Sequence, residues 1–371
     1  MLGARQDLDV VALLCVHREP GRIWDSSRSL PNVRVEVVRN LQIPVRRRHR
    51  MLGVNWRTVM HIPVGYLISL PREHPDVVLS TGLGGASLLA WLYCVLTQTP
   101  LILWSEEVPQ RAAGVPAVLR WLRRFLVKRG DGFLAWGEQA ERYLLDLGAE
   151  RQNIVRCFQA VDNDWWRSQA SSIDRDEIRR REGFIGKKVV FYAGEINRAK
   201  GVGYFLDAWA RVQNDGQESR ILLLAGAGPE KEELESEAAE AEVPGVRFLG
   251  AIDSSRMVEF YVASDLFVFP SLYDVWGLVV NEAMAVGVPV LCSRLAGCGT
   301  ELSEEGLTGE TFDPRNPEKL AEKIQRWLEK DLVPPVRQIQ DHISRWNFEA
   351  CEAAIYGAIR QVRRDGPCEG G

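Results

Sequence analysis

No C-x-x-C pair occurs in this sequence. Its seven cysteines (Cys15, Cys94, Cys157, Cys292, Cys298, Cys351 and Cys368) are odd in number and scattered. The pattern excludes a disulfide framework and a zinc ligand set, and predicts a reducing, cytoplasmic setting. No nucleic-acid-binding motif is present, and no part is basic enough to make nucleic acid the expected partner. No internal repeat occurs. A secretory leader is not visible, because Met1 is followed at once by mixed polar sequence. Charge is missing altogether between Asp76 and Glu106, a stretch long enough to raise the question of a membrane span. Gly82, Gly84, Gly85, Gln98 and Pro100 divide it into a strand (Val77–Ser80), a helix (Ala86–Leu96) and a strand (Leu101–Trp104). It therefore reads as a buried βαβ unit, whose parallel strands are continuously apolar.

What is present is enough for two domains: 371 residues, 46% hydrophobic and 26% charged, the balance of a soluble globular protein. The net charge of −4 conceals an asymmetry. Residues 1–165 carry 21 Lys+Arg against 16 Asp+Glu, and the remainder 25 against 34. The basic half is expected to face something anionic. Short apolar strands alternate with amphipathic helices throughout, which predicts an α/β fold of two doubly wound, Rossmann-like domains facing across a cleft. The first covers 1–167 and the second 168–345. A closing helix and tail over 346–371 return to the first domain. The polar segment Ser168–Gly186 has no apolar period and reads as the linker. Beyond these, the run Arg46-Arg47-Arg48-His49-Arg50 stands out.

The segment Asp265–Pro289 carries the most chemistry. It reads as a buried strand (Leu266–Phe269), a turn, and a helix opening near Gly277 and stopping at Gly287. A helix start offers unpaired N–H groups to a phosphate. Asp274 and Glu282, seven residues apart in between, are acceptors that can hold sugar hydroxyls on either side. The plain alternative is an N-cap and a solvated helix residue. With Trp276-Gly277-Leu278 between the acids and Asn281-Glu282-Ala283-Met284-Ala285 following, the segment resembles the E-x7-E motif of retaining family-four glycosyltransferases, of GT-B architecture. Asp274 stands where those enzymes more often have Glu.

The resemblance implies a transfer of a sugar, with retention, from a nucleotide-diphosphate donor to an acceptor hydroxyl in glycan, glycolipid or polysaccharide synthesis, without a metal or other cofactor. It implies that Lys200 clamps the diphosphate within Gly194–Gly201, where Glu195 occupies the usual Arg position and nearby Arg198 can take over with its bidentate fork. The plain alternative is that both cations are solvated loop residues. Asp274 would act at the sugar, and Glu282 at the ribose. Gly194, Gly201, Gly226, Trp276, Gly277 and Leu278 would line the donor. Gly226-Ala227-Gly228 reads mainly as a tight βα turn. Cys298 has no basic partner and reads as a spectator. Ser105 and Glu106, directly after a strand, touch acceptor or donor, or are simply surface loop. The cationic amphipathic helix within 115–129 packs Leu119, Leu122 and Leu126 inward and is a candidate contact for an anionic membrane at its inner face. In that family a strand and helix precede the segment matched by Asp9–Cys15 and Pro20–Asp25, so the resemblance implies that the first strand and helix are absent. A 2-epimerase of the same fold and a non-catalytic binding protein are the alternatives.

Overall fold

Apolar runs bounded by Gly, Pro or Asp fix the strand positions. A computed structural model describes residues 2–16, 32–48, 55–109, 115–213, 220–329 and 334–364. The chain divides into unit 1, residues 1–158 with 348–371, and unit 2, residues 159–347.

In unit 1, β1 (Val10–Leu14) pairs in parallel with β2 (Val33–Val37). β3 (Leu41–Arg48) and β4 (Asn55–Ile62) form an antiparallel pair that the sequence did not suggest. Pro44 and Arg46–Arg48 hid it, and both are features an edge strand tolerates. His49, Arg50 and the segment Pro20–Asp25 lie outside the described residues. Then follow α1 (Tyr66–Glu73), β5 (Val78–Thr81), α2 (Gly85–Thr97), β6 (Leu101–Ser105), α3 (Ala117–Val127), β7 (Gly132–Trp136), α4 (Gly137–Leu147) and β8 (Ile154–Cys157). The strands are parallel in the order β5-β6-β7-β8. The uncharged stretch is thus β5–α2–β6, with Leu101, Ile102 and Leu103 buried. Among the described residues no helix is long and apolar enough to cross a membrane.

Unit 2 contains α5 (Asn163–Ser171), α6 (Arg175–Glu182), β9 (Lys188–Ala193), α7 (Val202–Gln213), β10 (Arg220–Ala225), α8 (Lys231–Glu240), β11 (Val246–Gly250) and α9 (Ser254–Ala263). It continues with β12 (Leu266–Phe269), α10 (Leu278–Val286), β13 (Val290–Ser293), α11 (Gly299–Leu302), β14 (Gly309–Phe312), α12 (Pro317–Glu329) and α13 (Val336–Ile343). Its six strands are all parallel, in the order β11-β10-β9-β12-β13-β14. Winding therefore starts at β9, runs outward to β11, and restarts on the other side at β12. In doubly wound sheets ligands bind at such a reversal, beyond the carboxyl ends of the strands. The strands flanking it, Val189–Ala193 and Leu266–Phe269, are buried on both faces, which is why they read as unbroken apolar runs.

The expected linker over Ser168–Gly186 is instead mostly helical and belongs to unit 2. Asp162 caps α5 by accepting the Trp165 N–H at 2.9 Å, and Asp174 caps α6 by accepting those of Asp176 and Glu177. Trp166 and Ile178 are the buried apolar anchors of the two helices, too few to leave a period in the sequence. Arg179 reaches back to the Ala263 carbonyl at 2.7 Å and to Asp265. The final helix, α14 (Phe348–Arg364), belongs to unit 1. There Ile355, Ala358 and Val362 pack against Ile102 of β6, Leu134 of β7 and Cys157 of β8. Gly132 permits this approach, since a Cβ there would lie 2.7 Å from Val362 Cγ1.

Candidate functional site

Two loops of unit 2 leave the sheet at the winding reversal, one after β9 and one after β12. The first opens at Gly194 and makes a single 3-10 turn, Arg198–Lys200, capped by Asn197, whose Oδ1 accepts the Lys200 N–H at 3.0 Å. Gly201 closes it at φ +70°, and a Cβ there would sit 2.1 Å from the Pro270 carbonyl oxygen. The N–H groups of Leu272 and Tyr273 donate to the Ala199 carbonyl at 2.9 and 3.1 Å. The loops are therefore laced together through main chain, which fixes the side chains they carry.

The central contact is an ion pair: Lys200 Nζ lies 2.5 Å from Asp274 Oδ2. The other oxygen of Asp274 accepts the Trp276 N–H at 3.3 Å. Asp274 is thus not the helix cap. That position falls to Gly277 at φ +117°, where a Cβ would lie 2.7 Å from the Phe269 ring. α10 starts at Leu278 and stops at Gly287 as the sequence predicted. The N–H of Val280 bonds back to the Gly277 carbonyl at 2.9 Å, while those of Leu278 and Val279 have no preceding turn to bond to and add partial positive charge to the site. The Trp276 indole is fully buried and donates to Asn281 Oδ1 at 2.9 Å, leaving main chain rather than ring for a ligand.

Arg198 is more exposed, its side chain 62% accessible, and its Nε lies 3.3 Å from Glu230. Both predicted clamp cations therefore rest against carboxylates in this state. Burial raises the Glu230 carboxyl and the Arg198 charge opposes that rise. Glu282 is half-buried in α10. Burial pushes its carboxyl up to about 7, against the opposing hydrogen bond from Tyr261. Gly226 has a packing role, since a Cβ there would fall 1.8 Å from the Gly194 oxygen. Cys298 is buried with its sulfur 3.8 Å from that of Cys292, and burial holds its thiol well above the ordinary range, which suits a spectator. In unit 1, Ser105 is buried with its Oγ accepting the Glu107 N–H at 3.3 Å, while Glu106 is half-buried.

Sequence reading missed Glu230 and Tyr261. Tyr261 lies fully buried in α9, its hydroxyl 3.0 Å from Glu282 Oε2. The usable signal was a tyrosine amid an apolar helix face, since a buried phenol needs an acceptor.

Residues 174–343 match the family model described as Glycosyl transferases group 1. The chain is 32% identical over 271 residues to sulfoquinovosyl transferase SQD2 of Arabidopsis thaliana, covering 70% of this chain and 51% of that protein. It is 26% identical over 216 residues to alpha-D-kanosaminyltransferase of Streptomyces kanamyceticus, covering 57% of this chain and 55% of that one. The chain spans about half the length of these curated relatives. Among solved structures, Anabaena Alr3699/HepE in complex with UDP superposes with a TM-score of 0.70 at 18% identity, over 89% of this chain and 86% of that one. Sucrose-phosphate synthase from Thermosynechococcus elongatus gives 0.63 at 19%, over 81% and 77%. These likenesses show the α/β fold of two Rossmann-like domains that the sequence predicted.

Proposed function

The segment 174–343 belongs to the glycosyl transferases group 1 family, and from it we propose that this protein transfers a sugar from a nucleotide-diphosphate donor to an acceptor hydroxyl, with retention. The observation that carries the reading is the Lys200–Asp274 pair beside the first turn of α10. As the bond from the anomeric carbon to the diphosphate breaks, negative charge grows on the leaving phosphate. Lys200, Arg198 and the N–H groups at Gly277 and Leu278 supply the opposing charge in a preorganised site. The acceptor oxygen forms the new bond and its proton departs with the diphosphate. We assign no metal and no protein nucleophile to the step. Once the diphosphate engages the Lys200 ammonium, Asp274 is released to hold a sugar hydroxyl, and Glu282 holds the ribose. Glu106 is the acceptor-side candidate.

Isothermal titration against a panel of nucleoside diphosphates and nucleotide-sugars tests this. UDP leads the panel because the structural neighbour HepE was solved with it. At least one member should bind, and Lys200→Ala should weaken it roughly tenfold or more, the value of a charge-assisted hydrogen bond. Binding by no member sinks the reading. Donor turnover that needs no acceptor would point instead to an epimerase.

We also propose that unit 1 rests on an anionic membrane surface. Val118 and Trp121 of α3 are 79% and 65% exposed, and Leu96 of α2 is 76% exposed. The two helices pack edge-to-face through Trp91 and Phe125 at 4.8 Å. Arg120, Arg124, Lys128 and Arg129 are exposed around them, whereas Arg123 turns inward to Glu107 at 2.9 Å. Apolar tips ringed by cations suit the headgroup layer. In flotation assays the protein should rise with phosphatidylglycerol vesicles and not with phosphatidylcholine alone. The double variant Arg120→Glu/Arg124→Glu should stay behind. Equal recovery on both vesicle types, or on neither, contradicts the proposal.

A further inference from the structure

Glu282 is a half-buried carboxylate, and no Lys, Arg or His pairs with it among the described residues. Its hydrogen-bond partner is Tyr261, a residue 21 positions earlier on α9. The phenol ring is wedged edge-on between Phe191 of β9 at 5.3 Å, Phe267 of β12 at 5.6 Å and Trp166 of α5 at 5.7 Å. Such a cluster holds the ring by packing on three sides. The hydroxyl has one hydrogen and two acceptors in reach, Glu282 Oε2 at 3.0 Å and the Val279 carbonyl at 3.2 Å. The Val279 carbonyl lies in the first turn of α10, where helix geometry pairs it with the Ala283 N–H. The charged carboxylate is therefore the better acceptor for the phenol.

We infer that Tyr261 is a positioning residue for the nucleotide: it fixes one oxygen of Glu282 from beneath and leaves Oε1 for the vicinal hydroxyls of a ribose. The inference rests on the donor-site reading above. It has a chemical consequence. A neutral donor aims the carboxylate without neutralising it, so the ribose grip is strongest while Glu282 is ionised. The elements packed on α10 offer few other charges. α9 presents Tyr261, α13 presents the Gln340 amide to the Ala285 carbonyl at 3.1 Å, and Arg167 of α5 is spent on the Gln340 carbonyl at 3.1 Å. Burial raises the carboxyl, and the phenol's hydrogen bond is the opposing influence.

Tyr261→Phe removes one oxygen and keeps the ring, so the aromatic cluster survives. The intact chain, labelled at glutamate carboxyl carbons, reports the Glu282 titration by NMR, with Glu282→Gln identifying its resonance. Without ligand, the midpoint in Tyr261→Phe should rise by about one unit, because the hydrogen bond that favours the ionised form is gone. UDP affinity should follow the same curve: about fivefold weaker at pH 7 and restored well above it, as the ionised fraction recovers. A midpoint unchanged from the parent overturns the inference, as does a loss of UDP affinity that is equal at every pH. If UDP fails to bind the parent chain, the donor-site reading falls, and the ligand-free titration still decides whether Tyr261 controls Glu282.

Discussion

Glu282→Gln should make this protein more stable above pH 7 while depriving it of donor affinity. The carboxyl's ordinary value of 4.5 is raised in the folded chain to about 7, and burial is the main cause. The native state therefore holds this proton more tightly than the unfolded chain does. The benefit is fully present below about 4.5, and is lost as pH rises through about 7. Above that, the buried charge costs roughly 3 kcal/mol. Glutamine keeps the shape and one acceptor oxygen and carries no charge, so that cost vanishes. Urea unfolding at about pH 8.5 should show a gain approaching that size, shrinking toward zero at about pH 5. Binding moves the other way, since replacing an ionised acceptor by a neutral one loses on the order of tenfold or more in nucleotide affinity. A variant whose stability difference from the parent does not change with pH would show that the carboxylate is not held at this cost. A site that sacrifices stability for a ligand contact is typical of binding pockets.

The largest loss should come from Gly226→Ala, a change that adds one methyl group and alters no charge. A Cβ at this position would lie 1.8 Å from the Gly194 oxygen and 2.9 Å from its carbon, and φ is +149°. Both obstacles are main chain, so nothing can rotate aside. The loops after β9 and β10 must separate, breaking the bonds from Gly194 N–H to the Ala225 carbonyl at 3.0 Å and from Ile196 N–H to the Ala227 carbonyl at 2.9 Å. A loss of about 4 kcal/mol or more is expected, in the range reserved for strain at a special backbone position. Gly203→Ala is the control. That residue is the second of α7, its nearest obstacle is Leu234 Cδ2 at 3.7 Å, and alanine there should be neutral or stabilising by up to about 1 kcal/mol. Chemical denaturation of both variants reads the contrast. Equal stability of the two would mean that the loops do not meet as closely as described.

How far these features could be read from the chain depends on whether the forces involved are local. The strands of unit 2 were legible because burial on both faces leaves uninterrupted runs such as Leu266–Phe269. The ends of α10 were legible because Gly277 and Gly287 take positive φ, a requirement of backbone and not of partners. The resemblance implied separate roles for Lys200 and Asp274, and the contact between them came from the lacing of two loops 74 residues apart. Helices α5 and α6 were invisible, since their buried anchors, Trp166 and Ile178, are too few to make a periodic signal. Glu230 beside Arg198 and Tyr261 beside Glu282 are pairs made by tertiary packing, so no spacing rule could announce them. The β3–β4 pair hid behind a proline and a run of arginines, which suit strands with no neighbour on one side.

The helix that returns to unit 1 sets an order of events during synthesis. Unit 2 is one unbroken stretch, 159–347, so everything it needs has left the ribosome once that stretch has emerged. Unit 1 begins earlier and finishes later. Ile102, Leu134 and Cys157 wait for Ile355, Ala358 and Val362, which follow the whole of unit 2 in the chain. Domains generally fold as they appear, in chain order. Here the later-made half is ready first, and the earlier half carries an open apolar seam through most of its own translation.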